Sequence, residues 1–260
     1  MSVQTPRFLL AALSALFFGS PCILGQELVF EVASVKTSQS VREGYSIHNE
    51  LGGRFEAANA TLAGLIQYAL AVQDYQIVGG PGWIRDVRFD IKAAAGQTDS
   101  DVKNAERFAR IRARLRHLLE DRFQLQLSEE QREMPVYALE VEKGGVRMKP
   151  SDPLGNVDMN GGAAGSTLNG KGMTMPRLAG VLSGIAARPV HDETGLSGAY
   201  DLELKYSLDM AAPGEGAGAK ESSYPSLFTA LKEQLGLRLT GKKGTAPVWV
   251  VVRAERPSEN

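Results

Sequence analysis

Between Glu27 and Lys36 apolar residues are interrupted by Glu31, Ser34 and Lys36 in an alternating pattern that reads as a β-strand. From Thr61 to Val72 the rhythm changes. Leu62, Leu65, Ile66, Ala69 and Leu70 recur at helical spacing, with Asn59 or Thr61 available as cap. The stretch YQIVGGPGWIRDVRFDIKAA then predicts strand, turn, strand, with Gly79, Gly80, Pro81 and Gly82 forming the turn. A second helix is predicted over Ala105–Arg122 on the stripe Phe108, Ile111, Leu115, Leu118 and Leu119. FQLQL and PVYALEV follow as two alternating strands. The segment Lys149–Gly172, rich in Gly, Asn and Asp, predicts a linker or long loop.

After that segment the pattern starts again. MTMPRLAGVLSGIA is helical, RPVHDETGLSGAYDLELKY (Arg188–Tyr206) is strand, turn, strand, and SLDMAAPGEGAGAKESSYP is flexible. SLFTALKEQLGLRL is helix into strand, and APVWVVVRAE is the last strand, with Val248–Val252 read as central and buried. LRHLLEDRFQLQL lies over LFTALKEQLGLRL without a gap at an offset of 112, which also carries Pro135-Val136-Tyr137 onto Pro247-Val248-Trp249. At 111 FDIKA lies over YDLEL, and at 113 Thr61, Leu62 and Leu65 meet Thr174, Met175 and Leu178. The expected fold is α+β, with internally duplicated β-α-β-β-α-β-β halves and largely antiparallel sheets carrying helices on one face. The halves are placed at 26–149 and 173–260, separated by the linker or long loop at 150–172.

The segment 1–25 stands apart from this fold. One positive charge at Arg7 precedes the apolar run Phe8–Phe18, and GSPCILG follows. That layout is a secretory signal peptide, and the run is too short for a comfortable bilayer span. The expected location is therefore exported, periplasmic or secreted, with no membrane span after signal removal. Lipidation at Cys22 is disfavoured by Pro21 in front of it. Cys22 is the single cysteine of the chain, so a mature protein beginning at Gln26 has no thiol chemistry and no disulfide. Formal net charge is −1 and no basic block occurs, which argues against a nucleic-acid partner.

FEVASVK, GGRFEAANATLAGLIQYA, QIVGGPGWIRDVRFDIKA, MPVYALEV, RPVHDETGLSGAYDLEL and EQLGLRL resemble a soil-associated family of exported acidobacterial proteins, a domain of unknown function. The resemblance runs through nearly the whole mature chain. It implies an extracytoplasmic domain for sensing or docking, since some relatives look fused to membrane metallopeptidases of the antibiotic-sensing type. It brings no catalytic residues. A His expected near the start of the strand after FQLQL is replaced here by Leu127 or Ser128.

The densest chemistry is His191-Asp192-Glu193-Thr194. A His beside carboxylates can act as base or metal ligand, yet neighbours on a strand point to opposite faces. A turn accounts for the same residues, with the Asp192 side chain capping backbone N–H groups, Thr194 within the turn, Gly195 at positive φ and Gly198 allowing a bulge; Gly82 is the structural-turn residue of the upstream GGPG stretch. Ser183 lacks a nucleophile-elbow context, and the Gly-rich run near Gly161 lacks the Lys-Ser or Lys-Thr of a phosphate loop. Ligand-contact candidates are Trp83, Arg85, His191, Asp192 and Tyr200; no catalytic residue, metal or cofactor is assigned. The function expected is a non-enzymatic binding, sensing or interaction domain for an unknown envelope ligand or protein partner. The alternatives are an envelope hydrolase or metal-dependent enzyme using His191, and a self-associating structural component.

Overall fold

The computed structural model of the chain describes residues 28–40, 44–50, 52–96, 103–153, 156–162, 165–207 and 223–258. The leader expected at 1–25 and most of the flexible stretch before Pro225 lie outside them. The fold is α+β, and the described strands form three four-stranded sheets.

The first sheet holds β1 (Val32–Thr37), β2 (Ser46–Glu50), β3 (Arg54–Thr61) and β5 (Arg88–Ala94), in the order β1-β5-β3-β2, all antiparallel. The apolar stripes of α1 (Leu62–Leu70) and α3 (Asn104–Phe123) close over it, with short α2 (Trp83–Asp86) at one side. Thr61 ends β3 and caps α1 by accepting the Gly64 N–H at 3.1 Å.

A second antiparallel sheet holds β7 (Lys149–Ser151), β8 (Asn156–Gly162), β9 (Gly165–Thr174) and β11 (Ala199–Tyr206), in the order β7-β11-β9-β8. Its helices are α4 (Met175–Ile185) and α5 (Leu227–Ala230), the latter continued by a π-helical turn over Leu231–Leu235. Much of the expected linker is therefore sheet. Its small residues hid the strand period for packing reasons: a Cβ on Gly170 would stand 2.9 Å from the Met173 methyl and 3.2 Å from Leu202 Cγ. β8, at the sheet edge, has no second neighbour to impose an apolar alternation.

The central sheet joins the two. Its core is a ribbon of β6 (Gln126–Val141) and β12 (Leu237–Arg253), flanked by β10 (Val190–Asp192) parallel to β6 and β4 (Ile77–Gly79) parallel to β12. At about 3.3 Å per residue each ribbon strand is roughly 50 Å long. FQLQL and PVYALEV, expected as two strands, are one. Residues 128–133 between them are exposed, so no face there demands apolar residues. Pro135 fits inside the strand because β10 begins to pair only at Tyr137, leaving its N–H side open. The Val248–Val252 stretch lies between β6 and β4 but is not buried throughout: Val248 and Val251 are buried, Trp249 and Val250 are partly covered, and Val252 is 64% exposed.

Two apolar clusters result. One gathers Phe55, Ile66, Ile91, Leu115 and Phe123 from the N-terminal elements, and it includes Val251 from the end of β12. The other gathers Leu168, Met173, Leu178, Leu204 and Leu231, and it includes Leu139 from the end of β6.

Candidate functional site

The His191–Thr194 cluster is a built turn. Asp192 Oδ1 accepts the Thr194 N–H at 3.0 Å and the Thr194 hydroxyl at 2.7 Å, while Thr194 Oγ1 accepts the Leu196 N–H at 3.1 Å. Gly195 and Gly198 hold φ of 66° and 87°, the left-handed region that favours glycine. Glu193 turns away to pair with Lys242 on β12, and the Tyr200 hydroxyl donates to Ser197 O at 3.2 Å. His191 packs near Gly244 on the ribbon. The bulge expected at Gly198 sits later, between Tyr200 and Leu202, opposite Gly172 at φ 59°. Among the described residues no group of three or more His, Cys, Asp or Glu side chains is placed to hold a metal ion.

Gly82 stands just before α2, and Trp83 and Arg85 lie within it. The Trp83 ring meets Phe89 edge-on at 6.3 Å between centroids, and the Arg256 guanidinium lies 5.8 Å from its centre. It is packed at the border of the first cluster rather than presented on an open turn. Arg85 donates from Nη2 to Ile77 O at 2.8 Å and pairs with Asp74, tying α2 to the strand before it. These candidates therefore sit in two separate places, Trp83 and Arg85 on α2 and His191, Asp192 and Tyr200 around the turn between β10 and β11.

A groove of about 490 Å³ forms elsewhere, between β2, α1 and α3. The helix α1 explains it. Leu62, Leu65, Ile66 and Ala69 take the buried face, which leaves Gly64, Gln67, Tyr68 and Ala71, spaced three and four apart, on the opposite stripe. Tyr68 lies half in the core, 5.9 Å from Phe55, and its hydroxyl receives the Asn49 amide. The Arg112 guanidinium of α3 stands 5.6 Å from the Tyr68 ring centre, and among the described residues its Nε has no hydrogen-bond partner. Tyr45, 61% exposed, forms one rim, and Gln73 forms another, where its amide reaches Gly184 of α4. Two aromatic rings, two primary amides and a guanidinium thus line one concavity, with the Gln67 amide also donating to Asp74 at 3.1 Å and the Gln73 side chain accepting the Gln76 N–H. Its volume lies inside the range of small-molecule sites.

A second cavity of about 400 Å³ lies over β9 and β11, with Arg147, Lys149 and Lys171 facing Asp201 and Glu203. Its polar groups already serve the fold. Arg147 Nη1 donates to Glu233 O at 2.5 Å, and the Gln234 amide binds both the N–H (2.9 Å) and the C=O (2.8 Å) of Lys205. Asp201 accepts the Gly172 N–H at 2.9 Å, and this bond, helped by the Ser151 hydroxyl, holds its carboxyl below the usual carboxylate range.

Against known protein families, residues 63–254 match the model described as "Protein of unknown function (DUF3738)". The chain belongs to the DUF3738 family. The matched span takes in the second apolar cluster, the whole ribbon and the α1–α3 side of the groove, but it starts after β1, β2 and β3, so Val35, Phe55, Ala57 and Ala60 of the first cluster and Tyr45 and Ile47 of the groove lie before it. No curated protein and no solved structure matches the chain. Sequence reasoning missed the groove because it followed the apolar stripe of α1 and stopped there. The adjacent Gln67-Tyr68 pair on the outer stripe was the readable sign.

Proposed function

We propose that this DUF3738 protein is an exported, non-enzymatic binding protein whose ligand seats in the groove between β2, α1 and α3. The observation that carries the reading is the grouping of Tyr45, Tyr68, Gln67, Gln73 and Arg112 around one cavity. Aromatic faces take the apolar faces of a ring, amides exchange hydrogen bonds with hydroxyl or amide groups, and a guanidinium receives an anionic oxygen. A small polar ligand with a ring face, such as a sugar or an envelope-derived amide, matches that set. The leader-like N-terminus and the resemblance to exported soil-associated proteins support export. No described helix is long and apolar enough to cross a membrane.

The test is thermal unfolding of the chain against peptidoglycan fragments, polysaccharide oligomers, β-lactams and divalent metals. A ligand that binds the folded form alone stabilises it by about 2.7 kcal/mol at a hundredfold excess over Kd. A shift with a glycan or antibiotic that vanishes in Arg112→Ala supports the reading. A shift that survives in both Arg112→Ala and Tyr45→Ala moves the site elsewhere. A shift with metal that His191→Ala abolishes replaces binding by the enzyme alternative.

A further inference from the structure

The two sheets with their helices repeat each other in conformation as well as in order. Asn59 interrupts β3 at φ 56° and gives its N–H to Asp90 at 2.8 Å; Gly172 interrupts β9 at φ 59° and gives its N–H to Asp201 at 2.9 Å. Thr61 and Thr174 end those strands and start α1 and α4 with φ, ψ of −79°, 157° and −78°, 154°. Gln124 (φ 47°) ends α3 and Gly236 (φ 68°) ends the π-helical turn, each shortly before a ribbon strand. The members of each pair are related by the same offsets, 111 to 113, that the residues alone give.

The pairing of the ribbon obeys the same shift. From Leu127↔Val251 to Val141↔Leu237 the partners' numbers sum to 378, so Glu133 pairs with Thr245, its own counterpart at the offset of 112. A local two-fold axis therefore passes through the middle of the ribbon. The short strands follow it. Ile77 pairs with Trp249, while Val190, the counterpart of Ile77, pairs with Tyr137, the counterpart of Trp249. Each short strand is thus paired with the last strand of the opposite half.

We infer that the chain is two copies of one αβ unit joined head to tail, with their last strands exchanged, so that each half is the obligatory partner of the other. The end of β12 fills the first core through Val251, and the end of β6 fills the second through Leu139. Neither half closes its core alone. The interface carries a hydrogen bond as well, from Gln76 Nε2 to Pro247 O at 3.2 Å.

Charge selects the unlike pairing over the like one. The middle of β6 carries Glu129, Glu130 and Glu133, and the middle of β12 carries Lys242 and Lys243, with Lys243 Nζ 3.6 Å from Glu133. Two β6 strands paired about the same centre would set Glu133 directly against Glu133, and like charges facing across a ladder destabilise it.

The test severs the link between halves in the intact chain. A protease recognition sequence is inserted between Lys143 and Gly144, in the exposed turn after β6, and the folded protein is cleaved there. The expected result is that both fragments elute together at the size of the intact chain and separate in denaturant. They should unfold in one transition whose midpoint falls on dilution, as a two-chain assembly must. Fragments that separate in native buffer with independent transitions overturn the inference, as does collapse on cleavage, since an interface of this kind holds without the peptide bond. Loss of ligand binding with the assembly intact would bear on the groove and leave this inference standing.

Discussion

Gln124 and Gly236 stand at matching bends, each reversing a helix into a long strand in the left-handed region. At Gly236 the surroundings permit nothing else, because a Cβ there would stand 2.0 Å from Gly145 O. At Gln124 a side chain is tolerated, and its amide donates to Asp121 O at 2.8 Å. The stripe beside the groove differs as well. Gln67 and Tyr68 face it in the N-terminal half, whereas their counterparts at the offset of 113 are Gly180 and Val181. Matching frames thus carry different surfaces: backbone geometry is shared, while steric demand and site chemistry belong to each half.

Four experiments test that comparison, in falling order of effect. Leu139→Ala removes a fully buried side chain from the core of the half to which its strand does not belong, at a cost of about 2–5 kcal/mol. Val251→Ala does the same in the other direction for about 2 kcal/mol, from the two methyl groups lost. Urea unfolding gives the size. Amide exchange should show Leu139→Ala loosening β9, β11 and α4; loosening confined to the N-terminal elements would break the exchange picture.

Gly236→Ala should cost about 2 kcal/mol or more from the left-handed conformation and the Gly145 contact together. Gln124→Gly at the matching bend should stabilise by about 0.5 kcal/mol, or at least not harm. Equal losses at the two bends would remove the contrast. Asp192→Ala leaves two donors of the turn unpaired at a half-buried site and should cost about 1 kcal/mol. Its ligand response should match that of the parent, because the turn lies away from the groove.

The smallest effect is in pH. The Asp201 carboxyl titrates lower folded than unfolded, so its contribution is present above the unfolded pKa of about 4 and lost as pH falls through the folded value. Asp201→Asn should therefore be less stable than the parent near neutrality, with the gap closing in acid. A gap that persists unchanged in strong acid would show that ionisation has no part in holding Gly172.

Burial on one face left a readable period in α1, α3, α4, β5 and β11; β3, whose Phe55 and Ala57 are buried among small residues, was not legible as a strand. Nor were the Gly-rich β8 and β9 and the ribbon middle, since small or doubly exposed residues leave no period to read. Of the site candidates, Asp192 and Thr194 were legible as turn residues, because their hydrogen bonds join near neighbours in the chain, whereas the bulge expected at Gly198 depends on pairing with β9. Tyr45, Tyr68 and Arg112 lie far apart along the chain, and nothing local links them.

By itself the sequence determined the α+β character, the helix stripes, the turn at Asp192 and the recurrence of the apolar pattern in the second half, all of which are carried by neighbours along the chain. The tertiary structure alone decided which strand completes which sheet. Ile77–Gly79 and Val190–Asp192 are short strands that would read the same beside any partner. The choice between pairing within a half and across halves rests on contacts such as those of Val251 and Leu139, each made to a core built by the other half, and no local pattern records them.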